Sequence, residues 1–174
     1  MPRNIEIKAR IESIARLEPR VAALAQHGPE LIVQDDSFFH CAHGRLKLRA
    51  FADGRGELIH YHRADTAGAK LSDYVRVTTA APAALREALT RAYGVLGRVR
   101  KQRQLLLIGP TRIHLDCVEG LGDFLEIEVV LREDQTVAEG QAIAEALLAR
   151  LGVPESHRLA GAYLDMLLVP SAAR

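Results

Sequence analysis

The chain alternates more often than it winds. In "RNIEIKAR", residues 3–10, Ile5, Ile7 and Ala9 fall on one side of an extended backbone, and Asn4, Glu6, Lys8 and Arg10 fall on the other. A similar extended pattern recurs at 31–40, 45–51, 56–63, 73–79, 98–108, 111–118 and 123–132, so eight strands are predicted. Helical spacing occupies four windows. The first, 13–26, stops at Gly28-Pro29, and Pro19 inside it predicts a kink or a start near Glu18. The second, 83–93, is introduced by Pro82 and closed by Gly94. The third starts at Thr136, where Glu139 completes a capping box, and ends near Gly152. A short fourth covers 162–168.

The turns between strands are short. "DGRG" at 53–56 reads as a hairpin turn, and "IGPT" at 108–111 and "EGLGD" at 119–123 separate two further pairs. Connections this short join antiparallel neighbours, because parallel strands need long crossovers. With no repeat, low-complexity tract or linker composition, residues 1–174 are expected to form one α+β domain on a large antiparallel sheet.

Composition narrows the class without naming an activity. At 174 residues, 48% hydrophobic and 26% charged, the chain has the profile of a soluble globular domain. Its net charge of +1 gives no reason to expect nucleic acid or an anionic membrane as partner. The N-terminus lacks an apolar signal region and no apolar run is long enough to cross a bilayer, so a cytoplasmic location is expected. Cys41 and Cys117 suggest no disulfide framework.

What changes the picture is how the charges are sorted. One face of 45–51 carries Arg45, Lys47 and Arg49; in "DYVRVTT" Tyr74, Arg76 and Thr78 share a face. Lys101 and Arg103 align in "VRKQRQL", Arg112, His114 and Asp116 in "TRIHLDCV", and Phe124, Glu126 and Glu128 in "GDFLEIEVVL". Solvated faces usually mix signs, because like charges side by side repel. Crowded cations on some strands ask for an anion of several charges, and crowded carboxylates for a divalent metal. A metal-complexed polyphosphate satisfies both, with Arg and Lys on phosphate oxygens and hard oxygen ligands on Mg²⁺ or Mn²⁺. No GxxxxGK[ST] loop is present, so side chains must do the binding, as in a barrel polar inside and apolar outside under helices.

The motifs "IEIK", "GRLKLR", "KQR", "RIHLD", "GLGDFLEIEV" and "YLDML", in this order and spanning nearly the whole chain, closely resemble the CYTH family of triphosphate tunnel metalloenzymes. The family includes class IV adenylyl cyclases and thiamine triphosphatases. The resemblance implies an eight-stranded antiparallel β-barrel whose lumen binds a triphosphate with one or two divalent cations, Mg²⁺ or Mn²⁺. It implies metal ligands at Glu6, Asp116, Glu126 and Glu128. It implies phosphate contacts at Lys8, Lys47, Arg49, Lys101 and Arg103, with Arg45 and Arg76 on the same basic faces, and it makes Glu6, Lys8, Glu126 and Glu128 the catalytic set. The family's E-x-E-x-K falls on Asn4-Ile5-Glu6-Ile7-Lys8, so Asn4 replaces the first glutamate and removes a charge from any two-metal site.

The histidines are not absorbed by these motifs. His60 and His62 share one face with Arg63 on the other, and His114 shares the face of Asp116, where it can contact substrate or orient a carboxylate. His40, Cys41, His43, His60 and His62 match no zinc spacing. The wording of "RIHLDCVEGLGDFLEIEV" is closest to the bacterial cyclase-like branch. An adenylate cyclase making cyclic AMP and pyrophosphate from ATP is therefore expected first. A metal-dependent triphosphatase and a non-catalytic polyphosphate or nucleotide binder are the alternatives. A homodimer is expected only as the commonest assembly.

Overall fold

The computed structural model describes residues 3–63 and 70–169. Its eight strands are β1 (Asn4–Arg10), β2 (His27–Phe39), β3 (Arg45–Phe51), β4 (Gly56–Arg63), β5 (Lys70–Thr79), β6 (Val95–Ile108), β7 (Thr111–Val118) and β8 (Gly122–Val130). They close into a barrel in the order β1-β5-β4-β3-β2-β6-β7-β8, every neighbour antiparallel. The helices are α1 (Ile14–Ala22), α2 (Pro82–Tyr93), α3 (Val137–Arg150) and α4 (Tyr163–Leu168). None of the helices in the described residues is long and apolar enough to cross a membrane.

Alternation decides which way each side chain points, and in this barrel the apolar side points outward. Ile5, Ile7 and Ala9 of β1, Leu106 of β6, Ile113 and Leu115 of β7, and Leu125, Ile127 and Val129 of β8 pack beneath Leu17 and Val21 of α1 and Ala144 and Leu148 of α3. Each fully buried leucine, isoleucine or valine among them contributes about 1.5–3 kcal/mol, and the main core lies between barrel wall and helices. A second cluster, with Phe38, Val99, Phe124, Tyr163 and Leu164, closes one end of the lumen. There α4 sits against Gly97 of β6, where a Cβ would lie 2.5 Å from Leu164 Cδ1. By contrast α2 buries no residue, and the outer face of β5 leaves Val75 and Val77 more than half exposed.

Two local expectations change. The first helix does not start at Glu18: it is capped by Ser13, whose hydroxyl accepts from Arg16 N–H at 3.3 Å, and it runs through Pro19. Burial of Leu17 and Val21 on either side of the proline offsets the missing hydrogen bond. Strand β2 begins at His27, four residues before the expected start. Gly28, at φ +100°, carries the chain past Leu105 O, which a Cβ would approach to 2.4 Å, and pairing with β6 resumes across a register shift. The capping box of α3 is present, with Thr136 Oγ1 accepting from Glu139 N–H and Glu139 accepting from Thr136 N–H.

Candidate functional site

The inward half of the alternation lines a cavity of about 410 Å³ along the barrel axis. Around the wall the charge changes sign nearly strand by strand. Lys47 and Arg49 on β3 face Asp36 on β2, then come Lys101 and Arg103 on β6, Asp116 on β7, Glu126 and Glu128 on β8, and Glu6 and Lys8 on β1; Arg76 on β5 and Glu57 on β4 complete the circuit.

Register sets the pairs. Arg103 stands opposite Asp116 and forks onto it, with Nε and Nη2 each 2.7 Å from a carboxylate oxygen. Lys101 Nζ lies 3.4 Å from the same carboxylate, and Tyr163 of α4 donates its hydroxyl to it at 2.9 Å. Arg49 stands opposite Asp36 and forks onto it at 2.8 Å twice, with Lys47 Nζ at 3.1 Å. Lys8 is opposite Glu126, 3.3 Å away, and its Nζ lies 4.0 Å from the centre of the Tyr163 ring. Glu6 is opposite Glu128, which accepts from Asn4 Nδ2 and from Arg112 Nη1 at 3.2 Å.

Burial and these pairings displace the acids and bases. Burial pushes the Asp36 carboxyl up, but the Arg49 and Lys47 charges outweigh it and hold the group well below the usual range. Asp116, buried likewise, is held low by Arg103 and Lys101, and Glu126 by Lys8 and Arg103. Burial together with Arg103 lowers Lys101 to about 7, against the pull of Asp116. His114 is lowered by burial and Arg103. A carboxylate only accepts, so the 3.1 Å contact of His114 Nδ1 with Glu126 places the ring proton on Nδ1. His114 Nε2 is then left 3.7 Å from Glu128 Oε2.

The structure brings most of the sequence-derived candidates together. Glu6, Lys8, Lys47, Arg49, Arg76, Lys101, Arg103, Glu126 and Glu128 all line the one cavity. Asp116 lies beneath the Lys101 and Arg103 side chains with no exposed surface. Arg45 is elsewhere: its guanidinium forks onto Asp165 of α4 at 3.0 and 2.9 Å, in a crevice outside the lumen lining. His60 and His62 point outward from β4, their rings edge to face at 5.1 Å, and His60 Nε2 lies 2.9 Å from His43 O; the side chain of Arg63 lies outside the described residues.

Asp36, Arg112 and Tyr163 also belong to the site and were not among the candidates. For Asp36 the signal was there, since alternation along β2 puts Gln34, Asp36 and Phe38 inward. For Tyr163 the only signal was its place in "YLDML", since the docking of α4 is what brings its hydroxyl to Asp116.

The donors can be tested for a divalent cation. Among the described residues no three or more His, Cys, Asp or Glu side chains form a ready metal cluster, the lumen carboxylates being turned onto cations. Of the buried side-chain oxygens without a hydrogen-bond partner among the described residues, on Asn4, Gln34 and Gln104, the one beside the lumen carboxylates is Asn4 Oδ1, on the amide that donates to Glu128. An orphaned amide oxygen beside Glu128, with Glu6 opposite and Glu126 on the same face, is an all-oxygen donor set of the kind Mg²⁺ and Mn²⁺ take. Both oxygens of Asp116 are taken by Arg103, one also by Lys101 and Tyr163, which fits it poorly as a ligand.

Comparison with known proteins agrees with this architecture. The family model for the CYTH domain matches residues 2–163. The PH1012 protein from Pyrococcus horikoshii superposes with a TM-score of 0.83 at 23% identity, covering 93% of this chain and 98% of that one. A candidate adenylate cyclase from Vibrio parahaemolyticus gives 0.76 at 18% identity, covering 94% and 97%. A Hippeastrum protein, described as a candidate adenylyl cyclase with a dominant triphosphatase activity, gives 0.66 at 16% identity, covering 99% and 94%. At these identities the likeness is one of fold. No curated protein matches the sequence.

Proposed function

Because the chain belongs to the CYTH domain family, whose triphosphate tunnel members are typically enzymes using divalent metal ions, we propose that it is a metal-dependent enzyme acting on a nucleoside triphosphate, with ATP cyclisation to cyclic AMP and pyrophosphate as its reaction. The observation that carries the reading is the convergence of two K-x-R pairs, Lys47/Arg49 and Lys101/Arg103, with Lys8 on one buried lumen beside a carboxylate group. Tyr61 and Tyr74, cross-strand partners that line the same cavity, offer the aromatic surface a base would stack on.

The residues divide the work by chemistry. Lys8, Lys47, Arg49, Lys101 and Arg103 bind and orient the phosphate chain and offset the charge that develops on departing pyrophosphate. Arg76, at the edge of the lumen and ion-paired with Glu57 at 3.6 Å, joins them from β5. Glu6, Glu126 and Glu128, with Asn4 Oδ1, would hold one Mg²⁺ or Mn²⁺. Such an ion, when bound, supplies Lewis-acid polarisation of phosphate oxygens. Asp116 serves by fixing Arg103, Lys101 and Tyr163. The unpaired thiols of Cys41 and Cys117 suit the cytoplasm as the working compartment.

A second reaction, hydrolysis of the terminal phosphate, uses the same lumen, and the activity described for the Hippeastrum protein favours it. One assay separates the two: incubation with Mg²⁺ or Mn²⁺ and ATP, then with tripolyphosphate, reading cyclic AMP, pyrophosphate and orthophosphate. Orthophosphate without cyclic AMP removes the cyclase reading, and binding without turnover of either substrate removes both. Glu126→Gln is expected to reduce metal-dependent turnover on the order of 100-fold with an unchanged circular dichroism spectrum; wild-type activity in this variant would refute its role.

A further inference from the structure

Asp36 has no part in the roles given to the lumen above, yet it is one of the most buried and most fully paired charges there. It is 2% exposed, stands directly opposite Arg49 in the β2–β3 pair, and accepts from Arg49 Nε and Nη2 at 2.8 Å each and from Lys47 Nζ at 3.1 Å. The same arrangement occurs on β6 and β7. There Asp116 stands opposite Arg103, accepts from its Nε and Nη2 at 2.7 Å each, and has Lys101 Nζ at 3.4 Å. In both cases a K-x-R pair on one strand is held by an aspartate opposite the arginine, with the lysine on the diagonal. Because β2 and β6 are neighbours, the two units lie side by side on one wall.

We propose that Asp36 is a positioning residue for the phosphate chain, holding the Lys47 and Arg49 side chains in the lumen as Asp116 holds Lys101 and Arg103; this rests on the triphosphate reading above. The forked contact engages Nε and Nη2 of Arg49 and fixes the plane of its guanidinium. Lys47 keeps donors to spare, since an ammonium has three. An alternative role for Asp36, as a rival of phosphate for the same cations, predicts the opposite sign for its removal. Two facts favour positioning. Lys47 is already pushed down by burial, and Asp36 is the leading influence against that push. The geometry adds the second: Asp36 holds Nε and Nη2 of Arg49 at 2.8 Å each and Lys47 Nζ at 3.1 Å, so removing the aspartate frees the fork and the ammonium from the orientation a phosphate chain would meet.

The test is calorimetric titration of tripolyphosphate, in chelator, into wild type, Asp36→Asn and Asp36→Glu, with Mn²⁺ binding measured separately by electron paramagnetic resonance. Asp36→Asn is expected to bind tripolyphosphate at least tenfold more weakly, Asp36→Glu to recover part of the loss, and Mn²⁺ affinity to stay within about twofold of wild type. Equal or tighter tripolyphosphate binding by Asp36→Asn overturns the proposal, as does a loss of Mn²⁺ binding that matches the loss of phosphate binding. Should Asp36→Asn fail to fold, Asp36→Glu carries the test alone: wild-type affinity in that variant, whose carboxylate is displaced by a methylene, overturns the proposal. A wild-type protein that binds no tripolyphosphate refutes the functional reading and this inference with it, an outcome distinct from wild-type binding that survives Asp36→Asn.

Discussion

Lys101 holds its proton weakly for a lysine. Burial first and Arg103 second lower it to about 7, although Asp116 is 3.4 Å away. A polyanion entering the lumen stabilises the ammonium and raises that value again. The sign follows: below 7 Lys101 is charged with or without ligand, while somewhat above 7 it is neutral in the free protein and charged in the complex. Binding at pH 8 should then take up a proton, and affinity should fall as pH rises through the range. Titrating tripolyphosphate at pH 8 in two buffers of different ionisation heat measures the uptake. Subtracting the same experiment on Lys101→Met removes the ligand's own protonation. Identical uptake in the two proteins would show that Lys101 does not titrate on binding. At this scale the sequence revealed residue types and faces but not partners. Crowding of Lys47 and Arg49 reads as demand for an outside anion, whereas Asp36, thirteen residues from Arg49, already meets part of it.

At the scale of the element, strands were more legible than helices because their signal is a strict period of two with an unambiguous inside and outside. The strands of the barrel follow the alternation, and the boundaries that moved did so where backbone pairing outruns side-chain pattern, as at His27–Glu30 beyond Gly28. Helix α1 shows the reverse conflict, between a local breaker and tertiary burial. Pro19 cannot donate to Ala15, yet Leu17 and Val21 on the buried face keep the helix whole. Pro19→Ala is therefore expected to stabilise the fold by about 1 kcal/mol, a fraction of the roughly 3 kcal/mol that an interior proline costs a helix. In a chain of this size that is a rise of about 2–4 °C in melting temperature. A melting temperature that falls would mean that the helix depends on the bend the proline imposes. Helix α4 was legible as a helix but not as part of the site. Its seat depends on Gly97 beneath Leu164 and on Asp165, which caps Ala162 N–H and accepts the Arg45 fork, and the Gly97 and Arg45 contacts each reach more than sixty residues along the sequence.

At the scale of the whole molecule the barrel reverses the usual partition: the apolar core is outside the sheet under α1 and α3, and the charges are inside. Taking charges out of water is unfavourable unless each is paired and hydrogen-bonded, which is why the lumen alternates in sign from strand to strand. The pairing also makes stability depend on pH in a direction that can be worked out. Asp36, Asp116 and Glu126 all have folded-state pKa values held below their unfolded values of 3.8, 3.8 and 4.5 by neighbouring cations, in spite of burial. Groups depressed in this way contribute stability in full above their unfolded values and lose it as pH falls below them, because the unfolded chain takes up protons first. Unfolding free energy measured by urea titration should therefore fall gently from pH 7 to about 5, where Lys101 and His114, both held below their ordinary values, bind protons more readily in the unfolded chain, and fall steeply below about 4 as the carboxylates follow. Asp36→Asn should be less stable at pH 7, since it leaves buried cations unpaired, and should show a shallower acid slope. Stability that does not change from pH 7 to pH 3, or a variant with the full wild-type slope, would mean that the lumen ion pairs do not couple to folding.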